Sequence, residues 1–272
     1  MALPRFLVDD VPERGFVSLD EAESNHAARV LRVQPGEDVI AFDGKGWEGY
    51  GSIDSVQRKT VTLNIQQRRF APRDHDDRLW MAIALPKGDR QRSVIERMVE
   101  LGVDRLIPLH SHRSVARCDA DAIERLDRYG IEACKQCQRN RRMRIEPAMD
   151  WNAFMDWLPA QSSTECWLLH PDPTAIDAQA FLATSTALPT QSMRWLFTIG
   201  PEGGFTDAET SNARTAGCRV LSLGERILRV ETAVASAAFL GHLALARMQS
   251  MAGAAASGMP LQEESASSGT SA

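Results

Sequence analysis

Glycines cluster directly after a strongly apolar stretch in the segment Leu196-Phe-Thr-Ile-Gly-Pro-Glu-Gly-Gly-Phe205. The apolar run is typical of a buried strand, and ligands of open α/β sheets bind at the carboxyl ends of strands. Gly200, Gly203 and Gly204 allow backbone amides and carbonyls to approach a nucleoside closely. The segment lacks the spacing of dinucleotide-binding and phosphate-binding loops, which disfavours hydride transfer and ATP chemistry. A tight turn without a ligand is the alternative interpretation.

A second segment with chemical potential, GERILRVETA at 224–233, carries charges between apolar residues just before an alanine-rich stretch. We expect Arg229 and Glu231 to be buried there, and a buried charge must be paired or functional. The segment is interpreted as a loop folded against the glycine loop. A structural ion pair is the alternative.

Five cations fall in one ten-residue window without an acid, although the net charge of the chain is −5. They are Lys135, Arg139, Arg141, Arg142 and Arg144. Local basicity of this kind suits a face that meets phosphate. A solvated charged face without a partner is the alternative.

Other residue patterns exclude several classes of protein. The five cysteines are odd in number and irregular in spacing, which fits a reducing compartment, and the single CxxC at Cys134 and Cys137 is interpreted as structural. No zinc or magnesium site is predicted. Charges interrupt the N-terminal MALPRFLVDD, and no apolar run reaches 18 residues, so we predict a cytoplasmic protein without a signal peptide or membrane span.

The elements that must position these residues divide the chain near 71–77, a polar stretch. Residues 1–71 alternate short β-type runs with turns and predict a small barrel or sandwich. One helix, Glu23 to Val33, should bury Ala27, Val30 and Leu31. The predicted strands are Phe6 to Val8, Phe16 to Leu19, Asp38 to Phe42, Tyr50 to Val56 and Thr60 to Gln66.

From residue 78 onward, buried-type strands alternate with helices, which predicts a mostly parallel sheet with helices on both faces. The strands are Leu79 to Leu85, Val103 to Leu109, Cys166 to Leu169, Trp195 to Ile199 and Arg219 to Leu223. The helices are Arg92 to Leu101, Ala120 to Cys137, Asp207 to Ala216 and Thr232 to about Met248. Thr206 and Glu209 stand at capping-box spacing. The small and polar residues 249–272 predict a disordered tail.

Several motifs together resemble the RsmE family of ribosomal RNA uridine methyltransferases. They are GPEGGFTDAE (200–209), LGERILRVETA (223–233), KGDR (87–90), PRF (4–6) and NHAARVLRV (25–33). The resemblance runs from about residue 1 to 248. It implies a PUA-like RNA-binding β-barrel (1–71) before a SPOUT-type methyltransferase domain (78–248) with a trefoil knot, which is an exception to the usual avoidance of knots.

The resemblance also implies an activity: S-adenosylmethionine-dependent methylation of uridine N3 in 16S ribosomal RNA of the small subunit, by a homodimer. Three loops would bind the methyl donor through Leu169, His170, Ile199, Gly200, Pro201, Gly203, Gly204, Leu223, Gly224, Ile227 and Leu228.

Methylation of N3 requires loss of a proton and stabilisation of negative charge on the uracil ring. Arg229 is assigned to charge stabilisation, and Glu231 or Glu202 to orientation or proton acceptance. The predicted RNA contacts are Arg5, Arg29 and Arg32 in the N-terminal part and Arg139, Arg141 and Arg142 in the C-terminal part.

Two other functions compete with this interpretation. A non-catalytic RNA-binding ribosome-assembly factor would keep the basic residues but needs no pair of ligand loops. A nucleotide-dependent oxidoreductase would need a fingerprint that the sequence lacks.

Overall fold

The computed structural model describes residues 3–57, 60–73, 77–185 and 193–257. Its N-terminal part is a five-stranded sheet in the order β1-β3-β4-β5-β2. β1 and β3 are parallel and the other neighbours antiparallel. The strands are β1 (Arg5–Leu7), β2 (Gly15–Ser18), β3 (Asp38–Phe42), β4 (Trp47–Val56) and β5 (Val61–Phe70).

Alternation of buried side chains explains how this sheet forms a core. Val61, Leu63 and Ile65 of β5 are buried at every second position and pack with residues of β1 and β3. The register between β4 and β5 shifts at Gly51, where an added Cβ would lie 2.1 Å from the carbonyl oxygen of Asn64. Glycine is therefore required at this irregularity.

The predicted helix of this part differs from the observed one in its winding. α1 spans Glu21–Asn25 and continues as a π-helix over His26–Leu31. The wider π-helical turn changes which side chains share a face, since its hydrogen bonds join residues five apart. Ala27 is buried as expected, but Val30 and Leu31 are exposed. The prediction that these two side chains are buried is therefore wrong.

The C-terminal part is a seven-stranded sheet in which all described pairings are parallel. The order is β12-β10-β11-β6-β7-β8, with β9 also paired to β7. The strands are β6 (Leu79–Ile83), β7 (Arg105–His110), β8 (Arg144–Ile145), β9 (Met149–Asp150), β10 (Thr164–Leu169), β11 (Arg194–Ile199) and β12 (Arg219–Leu221).

Helices cover both faces of this sheet. They are α2 (Arg90–Glu100), α3 (Ala120–Cys137), α4 (Trp151–Trp157), α5 (Ala178–Ser185), α6 (Asp207–Thr215) and α7 (Val230–Ser257). Consecutive strand residues face opposite ways, so Met81 packs among residues of α2, α3 and α7, while Trp80 packs among residues of α4 and α6. The predicted α/β class with a parallel, helix-covered sheet is confirmed.

The last helix is longer than the sequence suggested. α7 packs closely on the sheet because Gly241 has no side chain, and a Cβ there would lie 2.5 Å from Leu79 Cδ1. The helix continues to Ser257, into the segment predicted to be a disordered tail. The remaining residues of that segment, 258–272, lie outside the described residues. The trefoil knot stays a prediction, because strand pairings do not define how the chain threads.

A buried polar cluster joins the two sheets. Glu48 of β4 is fully buried and accepts hydrogen bonds from Asn140 Nδ2 (2.8 Å), Arg69 Nε (2.5 Å) and Tyr50 Oη (3.0 Å). Arg5 lies 3.4 Å from the same carboxylate. Asn140 follows α3, so the cluster fixes the N-terminal sheet against the C-terminal one.

Candidate functional site

The loops after β10, β11 and β12 enclose a cleft of about 260 Å³ at the carboxyl edge of the parallel sheet. All eleven residues predicted to bind the methyl donor line it: Leu169, His170, Ile199, Gly200, Pro201, Gly203, Gly204, Leu223, Gly224, Ile227 and Leu228. The structure therefore brings together three segments separated by up to about fifty residues. Their roles in binding are a proposal argued below.

The cleft has apolar walls and a charged rim. Its apolar lining comes from Leu169, Ile199, Leu223, Leu228 and Val230 among others. Charged side chains in the lining are those of Arg113, Glu202 and Arg226. This combination suits a flat, largely apolar ligand with charged ends, because apolar walls bind the body and a few polar groups fix its orientation.

Close packing behind the glycine loop explains its composition. A Cβ on Gly200 would lie 3.0 Å from the ring of Phe205, which is tighter than ordinary van der Waals contact. Gly204 has a φ of +68°, a conformation that side chains disfavour, and its amide donates to the carbonyl of Pro201 (2.8 Å). The loop is therefore tightly turned, and backbone rather than side chain faces much of the cleft.

The loop after β7 braces this glycine loop. Arg113 Nη1 donates to the carbonyl of Gly203 (2.7 Å), and the His112 amide donates to Glu209 Oε1 (2.7 Å). Glu209 also completes the predicted capping box with Thr206, which is confirmed. Sequence reasoning assigned Arg113 to the surface or to RNA and missed its place in the cleft. Its position directly after a strand of the same sheet was the available signal.

The KGDR segment reaches the cleft from another side. Arg90 Nη2 lies 2.5 Å from Glu202 Oε1, so the first residue of α2 holds a carboxylate in the cleft lining. Both side chains are partly exposed. Glu202 thus has a fixed orientation at the rim, with a cation beside it.

Arg229 and Glu231 lie just outside the cleft, where α7 begins. Arg229 is exposed, so the expectation that it is buried is wrong: the chain turns into the helix here, and its carbonyl accepts from the amides of Thr232 and Ala233. Glu231 is half-buried, and its Oε2 is inaccessible without a hydrogen-bond partner among the described residues. No ion pair joins these two side chains in that part of the chain.

The cluster of five cations is largely neutralised by acids from distant parts of the sequence. Lys135 pairs with Glu23 and Glu132, and Arg142 pairs with Asp127. Arg144 Nε lies 2.8 Å from Glu146. The window without an acid is therefore not a uniformly positive face, because folding supplies the counter-charges.

Two predicted RNA contacts are corrected by the structure. Arg5 is 6% exposed and lies against Glu48, and Arg139 is 4% exposed and donates to the carbonyl of Val103 (2.7 Å) and to Asp104 (3.3 Å). Buried guanidinium groups with internal partners do not reach a phosphate chain. Arg29, Arg32 and Arg142 are exposed and Arg141 is half-buried, so these four stay predictions.

Two searches of the described residues returned nothing. In that part of the chain, no three side chains of His, Cys, Asp or Glu are grouped as a metal site would require. None of its helices combines the length and the apolar character needed to cross a membrane.

Comparison with family models gives two matches along the chain. Residues 73–240 match the RNA methyltransferase domain family, and residues 19–66 match the RNA methyltransferase PUA domain family. The first match alone spans more than half of the 272 residues.

Curated relatives are similar over most of the chain. A ribosomal RNA small subunit methyltransferase E of Bacillus subtilis is 30% identical over 229 residues, which is 82% of this chain and 88% of the relative. The protein of the same name from Synechocystis is 30% identical over 219 residues, covering 80% and 69% of the two chains.

Solved structures share the fold. A putative methyltransferase from Legionella pneumophila in complex with S-adenosylmethionine has a TM-score of 0.78 and 27% identity, covering 92% of this chain and 98% of that one. A ribosomal RNA small subunit methyltransferase E from Neisseria gonorrhoeae bound to S-adenosylmethionine has a TM-score of 0.76 and 26% identity, with the same coverage.

Proposed function

This chain belongs to the RNA methyltransferase family, with a SPOUT-type α/β domain behind a PUA-like domain, and we propose that it methylates N3 of one uridine in 16S ribosomal RNA. The methyl donor in this proposal is S-adenosylmethionine. The observation that carries the proposal is the cleft, since three loops distant in sequence close around one nucleoside-sized space. Relatives with this fold hold S-adenosylmethionine in their crystal structures.

The lining residues fit S-adenosylmethionine. Leu169, Ile199 and Leu228 offer apolar surface to the adenine ring, and the tight glycine loop offers backbone groups to its polar edges. The carboxylate of Glu202 at the rim suits the positively charged amino group. When bound, S-adenosylmethionine supplies an electrophilic methyl group carried on a sulfonium.

Residues beside the cleft supply the acid–base and electrostatic functions in this proposal. Arg229 follows the lining residue Leu228 directly, and its exposed guanidinium stabilises the negative charge that develops on the uracil carbonyls. Glu231 accepts the N3 proton, since its Oε2 has no hydrogen-bond partner that occupies the lone pairs. Glu202, held by Arg90, orients the bound groups.

The partners in this proposal are the small ribosomal subunit and a second copy of the chain. Arg29, Arg32, Arg141 and Arg142 contact RNA phosphates. Ile227 is 89% exposed and Phe239 56% exposed, and apolar side chains so exposed support burial in a homodimer. Such an enzyme works in the cytoplasm, where ribosomal RNA is found.

Two measurements test the proposal. Calorimetry with S-adenosylmethionine should show binding, and mapping of methylated nucleosides in 16S ribosomal RNA should show one N3-methyluridine that is absent from cells without the gene. RNA binding without methyl-donor binding would instead identify a non-catalytic ribosome-assembly factor. An unchanged methylation map with intact methyl-donor binding would show a different target.

A further inference from the structure

A second cleft opens beside the first, and the proposed function does not use it. It measures about 420 Å³ and lies between the loop after β6, the loop after β7 and helix α3. Its charged lining residues are Lys87, Asp89, Arg117 and Arg125, so three cations face one carboxylate. The cleft is cationic in a chain whose net charge is −5.

The two clefts share their walls. Arg90, which follows the Lys87 loop directly, pairs with Glu202 in the lining of the first cleft. Arg113 lines the first cleft, and Val115, two residues further on, lines the second. A polynucleotide whose target base enters the first cleft therefore has its neighbouring phosphates close to the second.

The three cations are available to an anionic ligand. Lys87 and Arg117 are exposed, and the acid nearest to Arg117 is Asp150, at 3.8 Å and also exposed. Exposed ion pairs contribute little to stability, so exchanging Asp150 for a phosphate costs little. Arg125 Nη2 donates to Gln91 Oε1 (3.4 Å), a neutral group that does not offset the charge.

An aromatic ring and an apolar side chain lie beside these cations. Tyr129 of α3 lines the cleft, as does Val115, which is 49% exposed. Cations that track a phosphate chain and a ring that contacts sugar or base are the combination that binds single-stranded nucleic acid.

We propose that this cationic cleft binds phosphates of the RNA strand next to the nucleotide that is methylated. The inference rests on the proposed function for the identity of its ligand. Lys87, Arg117 and Arg125 bind RNA and set its register, and they take no part in binding the methyl donor.

The test measures the affinity of a single-stranded RNA that spans the methylated nucleotide, at several salt concentrations. In the double variant Lys87→Gln with Arg117→Gln, each lost phosphate contact should reduce the salt slope by roughly 0.7 and the affinity by about 5- to 10-fold. Arg125→Gln should behave in the same way, while Arg125→Lys should restore the slope because it keeps the charge. The affinity for S-adenosylmethionine should stay unchanged in all variants.

Arg247→Gln is the matched control. Arg247 is exposed on α7 next to Met248, whose sulfur lies 3.9 Å from Arg78, directly before β6, so it marks the opposite edge of the sheet. Its removal should leave the salt slope unchanged.

Folded variants whose salt slope and RNA affinity match the wild type would overturn the inference. Should Arg125→Gln fail to fold, the exposed double variant decides alone. If the wild-type protein binds RNA with the cleft-dependent slope but transfers no methyl group, the proposed function fails and the phosphate site stands.

Discussion

Gly204 is the cleft residue at which a backbone change can be separated from a steric one. Its φ is +68°, and an added Cβ would meet nothing within 4 Å. Gly204→Ala should therefore lower the free energy of unfolding by about 1 kcal/mol through backbone strain alone. We expect weaker binding of S-adenosylmethionine as the loop relaxes, measured by calorimetry alongside denaturant unfolding.

Asparagine provides the control for this substitution, because it tolerates the left-handed conformation better than alanine. Gly204→Asn should retain more stability than Gly204→Ala despite its larger side chain. Equal losses in the two variants would show that bulk, and not the φ angle, limits this position.

Arg229 separates turnover from methyl-donor binding, since it lies outside the cleft lining. Removing one group that stabilises developing charge costs on the order of 100-fold in kcat. Arg229→Ala should show this loss, and Arg229→Lys a smaller one, with an unchanged dissociation constant for S-adenosylmethionine. Arg247→Gln serves as the control. Near-normal turnover of Arg229→Ala, measured as methyl groups transferred to RNA, would remove Arg229 from the proposed mechanism.

The residues of the cleft were predictable to different degrees. The eleven predicted lining residues followed from strand ends and glycine spacing together with the family resemblance, and each lines the cleft. The exposure of Arg229 did not follow, because alternating apolar neighbours indicate burial only within a regular element. Here the chain leaves a loop and starts α7, and Ile227 is almost fully exposed.

At the level of elements, the start of α6 connects two loops of the site. Thr206 and Glu209 cap the helix, and Glu209 also accepts from the amide of His112. Thr206→Ala should cost about 1 kcal/mol, the usual value of a lost N-cap. Glu209→Ala should cost more, about 2 to 3 kcal/mol, because it also leaves the buried His112 amide contact unmade.

Hydrogen exchange distinguishes these two substitutions. The amide of His112 should exchange faster in Glu209→Ala and remain protected in Thr206→Ala. Equal protection in both variants would show that Glu209 stabilises α6 only and does not hold the loop after β7.

The long elements were predictable and the short ones were not. α3 spans Ala120–Cys137 as predicted, because it shows helical periodicity over 18 residues and begins at a capping aspartate. β8 and β9 contain two residues each and carry no periodicity to detect. The basic window was misjudged for a similar reason, since Glu23 meets Lys135 across 112 positions of sequence.

At the scale of the whole molecule, the arrangement of the two parts depends on contacts that sequence patterns do not reveal. Glu48 lies in a strand of alternating burial, and its partners come from β1, β5, the segment after β5 and the segment after α3. Only the folded chain brings Arg5, Arg73 and Asn140 to one carboxylate. This cluster sets where the N-terminal sheet stands relative to the methyl-transfer cleft.

Titration of Glu48 should make the stability of the molecule depend on pH. Burial alone would raise the pKa of Glu48, but hydrogen bonds from Asn140, Arg69 and Tyr50 outweigh it, and the pKa lies below its ordinary value of 4.5. A lowered pKa means that the native state prefers the charged form. The resulting stability is therefore fully present above pH 4.5 and is lost as the pH falls through the lowered pKa.

Glu48→Gln tests this account, since it removes the charge and keeps the shape. At pH 7 the variant should lose about 3 kcal/mol in the free energy of unfolding, because three arginines lose their buried partner. The difference from the wild type should shrink as the pH is lowered below 4.5. Glu13→Gln, at an exposed pair with Arg68 in the same sheet, should change nothing measurable. A gap between Glu48→Gln and wild type that stays constant from pH 7 down to strongly acidic conditions would show that the contribution of Glu48 comes from packing and not from its charge.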